Sequence, residues 1–223
     1  MAHMVQPVRP GLLDRVREDP YSTLGQASLA CLRAFLDGYA LAAARVGRVD
    51  DLDPRLERFS DWVGEKLGRQ SLSVSGLDMI QLESEDEARA FTRYFLLWDE
   101  YTTLVDSGMT EPDTRPHLPS LSCRDLLQSI QRRPGMYLGQ ASITLLQAFL
   151  QGYVFASRDA AGSAASEVPD LNEFTRWLCA KFGVREGYRW DRLMLFFHRS
   201  ESRAFEEFFS LLSEFEAEQT RKR

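Results

Sequence analysis

The chain is predicted to be all-α, two tandem homologous helical domains of four to five helices each, and three observations carry that prediction. Residues 11–107 and 123–216 say nearly the same thing twice. Leu24-Gly25-Gln26-Ala27-Ser28 returns as Leu138-Gly139-Gln140-Ala141-Ser142, and the same offset of 114 carries Gly38-Tyr39 onto Gly152-Tyr153 and Arg89-Ala90-Phe91 onto Arg203-Ala204-Phe205. Within each copy, apolar residues recur at three- and four-residue steps, the spacing of a helix face. Helix boundary signals fall at matching places, with Pro54 and Gly68 answered by Pro169 and Gly183. The period is too long for a solenoid unit, and two copies are too few for an array. A monomer with an internal pseudo-dimer, its halves related by a pseudo-twofold, is the expected arrangement.

The elements follow in order. Leu12, Leu13 and Val16, like Leu126, Leu127 and Ile130, place apolar residues on one face of a short opening helix. Pro20 and Pro134 stop it, because proline disfavours helical geometry in the residue before it. Gly25 and Gly139 then make a turn, and Ser28 and Ser142 stand where a side chain would cap the next helix. That helix runs from about Leu29 to Val46 and from Ile143 to Asp159, with Leu32, Phe35, Leu36 and Tyr39 matched by Leu146, Phe149, Leu150 and Tyr153. Gly38 and Gly152 cost roughly 1 kcal/mol inside a helix relative to alanine, which a close helix-to-helix approach would offset.

A third helix carries Phe59, Trp62 and Val63, or Phe174, Trp177 and Leu178, and the two tryptophans are expected as equivalent core anchors. Gly76 to Leu82 and Trp190 to Phe196 fit either a strand or a short helix, with the helix favoured. Ser84-Glu85-Asp86-Glu87 reads as a capping box opening the last helix, which continues through Phe91, Tyr94, Phe95 and Trp98; its twin runs through Phe205, Phe208, Phe209, Leu212 and Phe215. Residues 108–122, rich in proline, threonine and serine, form the linker.

Composition excludes several classes. The 44% hydrophobic and 11% aromatic content suits globular packing. Arg33, Asp37 and Arg45 interrupt the most apolar stretch, so no membrane span is expected. Met1 to Pro10 lacks the apolar core of a signal peptide, and Met1-Ala2-His3-Met4 reads as an added leader, which removes His3 from consideration. Cys31, Cys123 and Cys179 are odd in number and lack metal-ligand spacing; buried reduced thiols and a cytoplasmic location are expected.

The net charge of −6 is unevenly divided. Residues 1–114 hold twelve basic and twenty acidic residues, a net of −8, whereas 115–223 hold fifteen and thirteen, a net of +2. An acidic first copy argues against nucleic acid and for a basic protein partner.

Almost everything shared by the copies is glycine, aromatic or aliphatic, and paired acids, histidines and nucleophiles are missing from the shared set. A duplicated scaffold lacking duplicated chemistry predicts a binding surface, with no catalytic residue, cofactor or metal. His117 and His198 are too isolated for a metal site, and Ser28 and Ser142 lack the Gly-x-Ser-x-Gly setting of a nucleophile.

Arg133-Pro134-Gly135-Met136-Tyr137-Leu138-Gly139 resembles a segment near the start of the ATPase domain of gyrase B and related type II topoisomerases. In that family the segment precedes a helix with a catalytic Glu and a metal-binding Asn. Here the helix offers Gln147, Gln151 and Gly152, no Asp-x-Gly-x-Gly follows, and a tight turn between packed helices is expected instead of a nucleotide site. A second resemblance covers most of residues 123–216. The opening motif, Phe149-Leu150-Gln151-Gly152-Tyr153, Trp190-Asp191 and the closing Ala204-Phe205-Glu206-Glu207-Phe208-Phe209-Ser210-Leu211-Leu212 are similar to small bacterial proteins associated with polymorphic toxin loci as candidate immunity proteins. The first copy departs from this pattern at the opening motif and at Gly76, where the second has Trp190.

That resemblance implies a non-enzymatic protein that binds and neutralises a cognate protein toxin, and the acidic first copy implies a toxin basic at the contact. A structural or regulatory scaffold with a pseudo-dimeric duplicated domain is the alternative. The acidic residues Glu83, Glu85, Asp86, Asp99 and Glu100 are the expected contact set, with the Arg132, Arg133 and Tyr137 turn of the second copy as the other candidate.

Overall fold

The computed structural model describes residues 11–45, 53–68, 74–106, 123–159 and 169–222. The predicted linker and His117 lie outside these residues. Among them the chain is all helical: α1 (Leu12–Glu18), α2 (Pro20–Thr23), α3 (Leu29–Arg45), α4 (Arg55–Lys66), α5 (Gly76–Leu82), α6 (Glu87–Asp106), α7 (Cys123–Arg132), α8 (Pro134–Leu138), α9 (Ile143–Asp159), α10 (Leu171–Phe182), α11 (Trp190–His198) and α12 (Glu201–Lys222). Each sequence copy thus contributes six helices, not four or five. The extra ones are α2 and α8, because Pro20 and Pro134 both end one helix and occupy the first turn of the next, where a missing N–H costs nothing. The ambiguous segments are α5 and α11, helices as favoured.

Contacts divide the chain into two compact units: α1, α2 and α4–α6 in one, and α3 from Ala30 onward with α7–α12 in the other. The long helix of the first sequence copy is therefore grouped with the second copy. Its partner there is α9. A Cβ on Gly38 would collide with the carbonyl oxygen of Phe149, and one on Gly152 would collide with that of Phe35. The two glycines thus exist for backbone contact, which offsets their helix penalty as expected. Around the crossing, Phe155 packs against Phe35 and Tyr39, and the Arg45 guanidinium donates to Tyr153 Oη at 2.9 Å.

In the first unit the core is built on Phe59, which meets Tyr94 and Trp98 edge-on at 5.1 Å between ring centroids. In the second, Phe174 meets Phe208 and Phe215 at 5.6 and 5.7 Å. Such edge-to-face pairs add about 1 kcal/mol each beyond the area they bury. Burial and the nearby charge of Asp53 push the Tyr94 phenol far above its usual range, so it stays neutral. Cys31, Cys123 and Cys179 are buried free thiols, and burial pushes the Cys179 thiol up.

Two expectations need correction. Trp62 and Trp177 are half-buried, not core anchors. Each lies nearly parallel to its core phenylalanine, at 21° and 19°, with Lys66 or Lys181 over the ring at 5.1 and 4.9 Å. The lysines also reach Glu100 and Glu214, so each tryptophan is a plate between core and solvent, roofed by an ion pair. The second correction concerns the start of α6. Ser84 donates to the carbonyl of Ile80 and Asp86 caps the helix, its carboxylate accepting from Arg89 N at 2.8 Å. The reciprocal capping box sits earlier, between Ser75 and Asp78 at the start of α5.

Glu87 is thereby released for a longer reach: it accepts the Ser28 hydroxyl at 2.7 Å. Glu201, 114 residues on, accepts the Ser142 hydroxyl at 2.8 Å and also the amide and hydroxyl of Thr144. Ser142 Oγ accepts in turn from Leu145 N at 3.1 Å, the capping role expected of it. In the second unit the first turn of α12 is thus bolted to the first turn of α9.

Candidate functional site

The structure brings four of the predicted acidic residues against cations of their own unit. Glu83 pairs with Arg93 at 2.6 Å, Asp99 with Arg17 at 2.9 Å, Glu85 with Arg89 and Glu100 with Lys66. Asp86 is engaged at the start of α6 and lies 3.8 Å from Arg89. All five are surface groups, so the pairs contribute about 0–1 kcal/mol each. Their effect is to weaken the local negative field. A partner would have to exchange with Arg17, Lys66, Arg89 and Arg93 rather than meet bare carboxylates.

Glu83, Glu85 and Asp86 nonetheless cluster at the junction between α5 and α6, and the sequence reading missed what stands beside them. Leu82, the last residue of α5, is 78% exposed. A leucine held in water at the end of a helix, followed by three acids within four residues, makes an apolar knob ringed with negative charge. The repeat-equivalent residue is Phe196 on α11, 73% exposed, with Phe197 beside it stacked on Phe182 at 4.3 Å. There the neighbouring charges are Arg192 and Arg199, both exposed. At the sequence offset of 114, the two positions both carry an exposed apolar side chain, with acidic neighbours in the first and these arginines beside the second. The offset of 114 could have shown this pairing, but exposure cannot be read from an apolar residue at helical spacing.

The second candidate set lies on the α7–α8 turn. Arg132 and Arg133 are exposed, with no ion pair among the described residues, and Tyr137 is half-buried. Met136 between them is 73% exposed, while Leu138 anchors the turn in the core and Gly139 closes it at φ +77°. In the first copy the corresponding residues are Glu18 and Asp19. Hydrogen bonds from Ser22 hold the Asp19 carboxyl below the usual range, so it remains charged.

Three other groups define the electrostatics. Asp37 on α3 reaches solvent, yet desolvation by the surrounding protein pushes its carboxyl up to about 6, against the opposing pull of Arg33. Asp191 is 2% exposed and held by a two-pronged bond from Arg189, at 2.9 and 2.7 Å. His198 Nε2 is buried without a hydrogen-bond partner at the end of α11. Among the described residues no group of three or more His, Cys, Asp or Glu side chains is placed to hold a metal, and no helix is long and apolar enough to cross a membrane.

Within the second unit, a cleft of about 800 Å³ opens between α9, α10 and the start of α11, walled on one side by Tyr188 and Trp190. The predicted contact residues do not line it. Comparison with known proteins finds no matching family model, no matching curated protein and no matching solved structure.

Proposed function

We propose that this protein is a non-enzymatic binding protein that neutralises a cognate bacterial toxin in the cytoplasm, and that the toxin seats on the first repeat. The observation that carries this reading is Leu82, 78% exposed and bordered by Glu83, Glu85 and Asp86. An apolar anchor with a charged rim is the usual anatomy of a binding hot spot. A partner with an apolar pocket edged by basic residues would fit it, and the net charge of −8 over residues 1–114 would steer that partner in. Because the carboxylates already have internal partners, they act chiefly on the association rate. Leu82 supplies the attraction at contact.

Co-expression with the toxin encoded beside this gene tests the reading. Leu82→Asp should abolish protection of the cells while leaving the melting temperature unchanged. Replacing Glu83, Glu85 and Glu100 by lysine should slow association and make it less sensitive to salt. Full protection by both variants, with loss of protection on Arg132→Glu and Arg133→Glu, would move the contact to the α7–α8 turn.

A scaffold whose repeats imitate a homodimer is the second reading, favoured by the reciprocal contact of α3 and α9. Gly38 meets Phe149 while Gly152 meets Phe35, so each contact maps onto the other at the repeat offset. This is the pattern of a two-fold interface between like elements. We read these helices as a pseudo-twofold pair left by duplication. The absence of any co-encoded toxin would select this reading.

A further inference from the structure

The charged and amide residues that line the cleft in the second unit have no like residue at the matching positions of the first copy. Gln147 and Gln151 lie one helical turn apart on α9, where the first copy has Arg33 and Asp37. Asn172 and Arg176 are the same distance apart on α10, where the first copy has Glu57 and Asp61. Trp190 stands where the first copy has Gly76, and the consequence there is physical. A Cβ on Gly76 would collide with the Ser60 carbonyl oxygen, and Gly76 N donates to Ser60 Oγ at 3.2 Å, so α5 lies directly on α4. At the corresponding place in the second unit, an indole fills the gap, packed on Phe208 at 4.8 Å, and a cleft remains.

Some polar groups of this cleft carry no internal hydrogen bond, while Ser157, Thr175 and Asp170 are already engaged. Gln147 is 3% exposed and has no hydrogen-bond partner among the described residues. Its amide atoms are not enclosed, so they meet the open space of the cleft rather than the packed interior. Arg189, which lines the cleft, binds Asp191 through Nε and Nη2. Arg176 is 3.9 Å from Glu173, beyond hydrogen-bond length. α11 begins at the cleft wall with no side-chain cap, and the Asp191 carboxylate in its first turn is held by Arg189. On the acceptor side, Asp170 is already occupied by the amides of Asn172 and Glu173, at 2.9 and 3.0 Å. Donors therefore outnumber acceptors, and one wall is aromatic.

We propose that this cleft binds a small organic anion, a carboxylate or phosphate carried on a flat apolar group. The anion lies between Arg176, Arg189 and the start of α11, the amide of Gln147 donates to it from the floor, and the apolar group rests on Tyr188 and Trp190. A volume of about 800 Å³ is of small-molecule size. The proposal is independent of toxin binding, since Leu82 and its acidic rim lie in the other unit.

Calorimetric titration of the full chain with phenyl phosphate, benzoate, inorganic phosphate and phenol tests it. One of the two aromatic anions should bind saturably, at least tenfold more tightly than phenol or inorganic phosphate, and which one binds tells phosphate from carboxylate. Arg176→Ala, at an exposed position, should weaken binding at least tenfold. Gln147→Leu should abolish binding. Failure of both aromatic anions to bind, equal binding of phenol, or binding untouched by Arg176→Ala would overturn the proposal.

Discussion

At the scale of the residue, the informative side chains are those whose surroundings oppose their chemistry. Asp37 has its carboxyl pushed up to about 6 from an ordinary 3.8. A folded-state value above the unfolded one means that this group favours folding below about pH 4, and that its contribution is lost as the pH rises through about 6. Asp37→Asn should therefore melt at a higher temperature than the parent at pH 7.5, with the difference closing as the pH falls to 4.5. A difference that widened on acidification would show the carboxylate to be stabilising. Trp62 and Trp177 make the converse case. Each is half-buried beneath a lysine, so truncation to alanine should cost about 2 kcal/mol, below the 3–5 kcal/mol of a fully buried aromatic. Urea unfolding of either variant measures this, and Phe59→Ala, at 1% exposure, should cost visibly more in the same assay.

At the scale of the element, helix ends and helix crossings were legible to different degrees. Arg199 ends α11 in a left-handed conformation at φ 60°, where a side chain is strained. Arg199→Gly should stabilise the protein by about 1 kcal/mol, read as an upward shift in urea midpoint. Gly183, already at φ 67° after α10, should lose a similar amount on change to alanine. Periodicity found the long helices, and the repeat offset found their partners, because apolar spacing is a direct imprint of burial on one face. It could not separate α2 from α1 or α8 from α7, since four or five residues hold barely one turn. The capping box assigned to Ser84 failed for a related reason. Ser-x-x-Glu fits locally, but Glu87 gains more by accepting the Ser28 hydroxyl, a contact 59 residues away in sequence. Of the candidate site, the acids were visible and their internal ion pairs were not, because Arg17 lies 82 residues before Asp99. Leu82 was hidden outright: an exposed leucine and a core leucine look alike in one sequence.

At the scale of the whole molecule, the offset of 114 residues matches aromatic positions and leaves many charged ones unmatched. Rings recur at matched places, with Phe91 and Phe95 at 5.0 Å answered by Phe205 and Phe209 at 5.1 Å. Charges and cleft residues do not recur, so chemistry has to be sought in one copy at a time. Gly38→Ala or Gly152→Ala should be among the most damaging small substitutions, costing about 3 kcal/mol, because the colliding atom is backbone and cannot swing aside. Near-normal unfolding of either variant would mean that α3 and α9 are farther apart than described. The same crossing has a practical consequence for anyone dividing this gene. A cut in residues 108–122 follows the seam in the sequence but strands α9 without α3, exposing the groove of Phe149 and Gly152. Expressed alone, residues 123–223 should restore that contact with a second molecule of themselves, α9 against α9, and travel as a dimer in sedimentation. Added α3 peptide should return the fragment to single copies, as a missing stave closes a barrel.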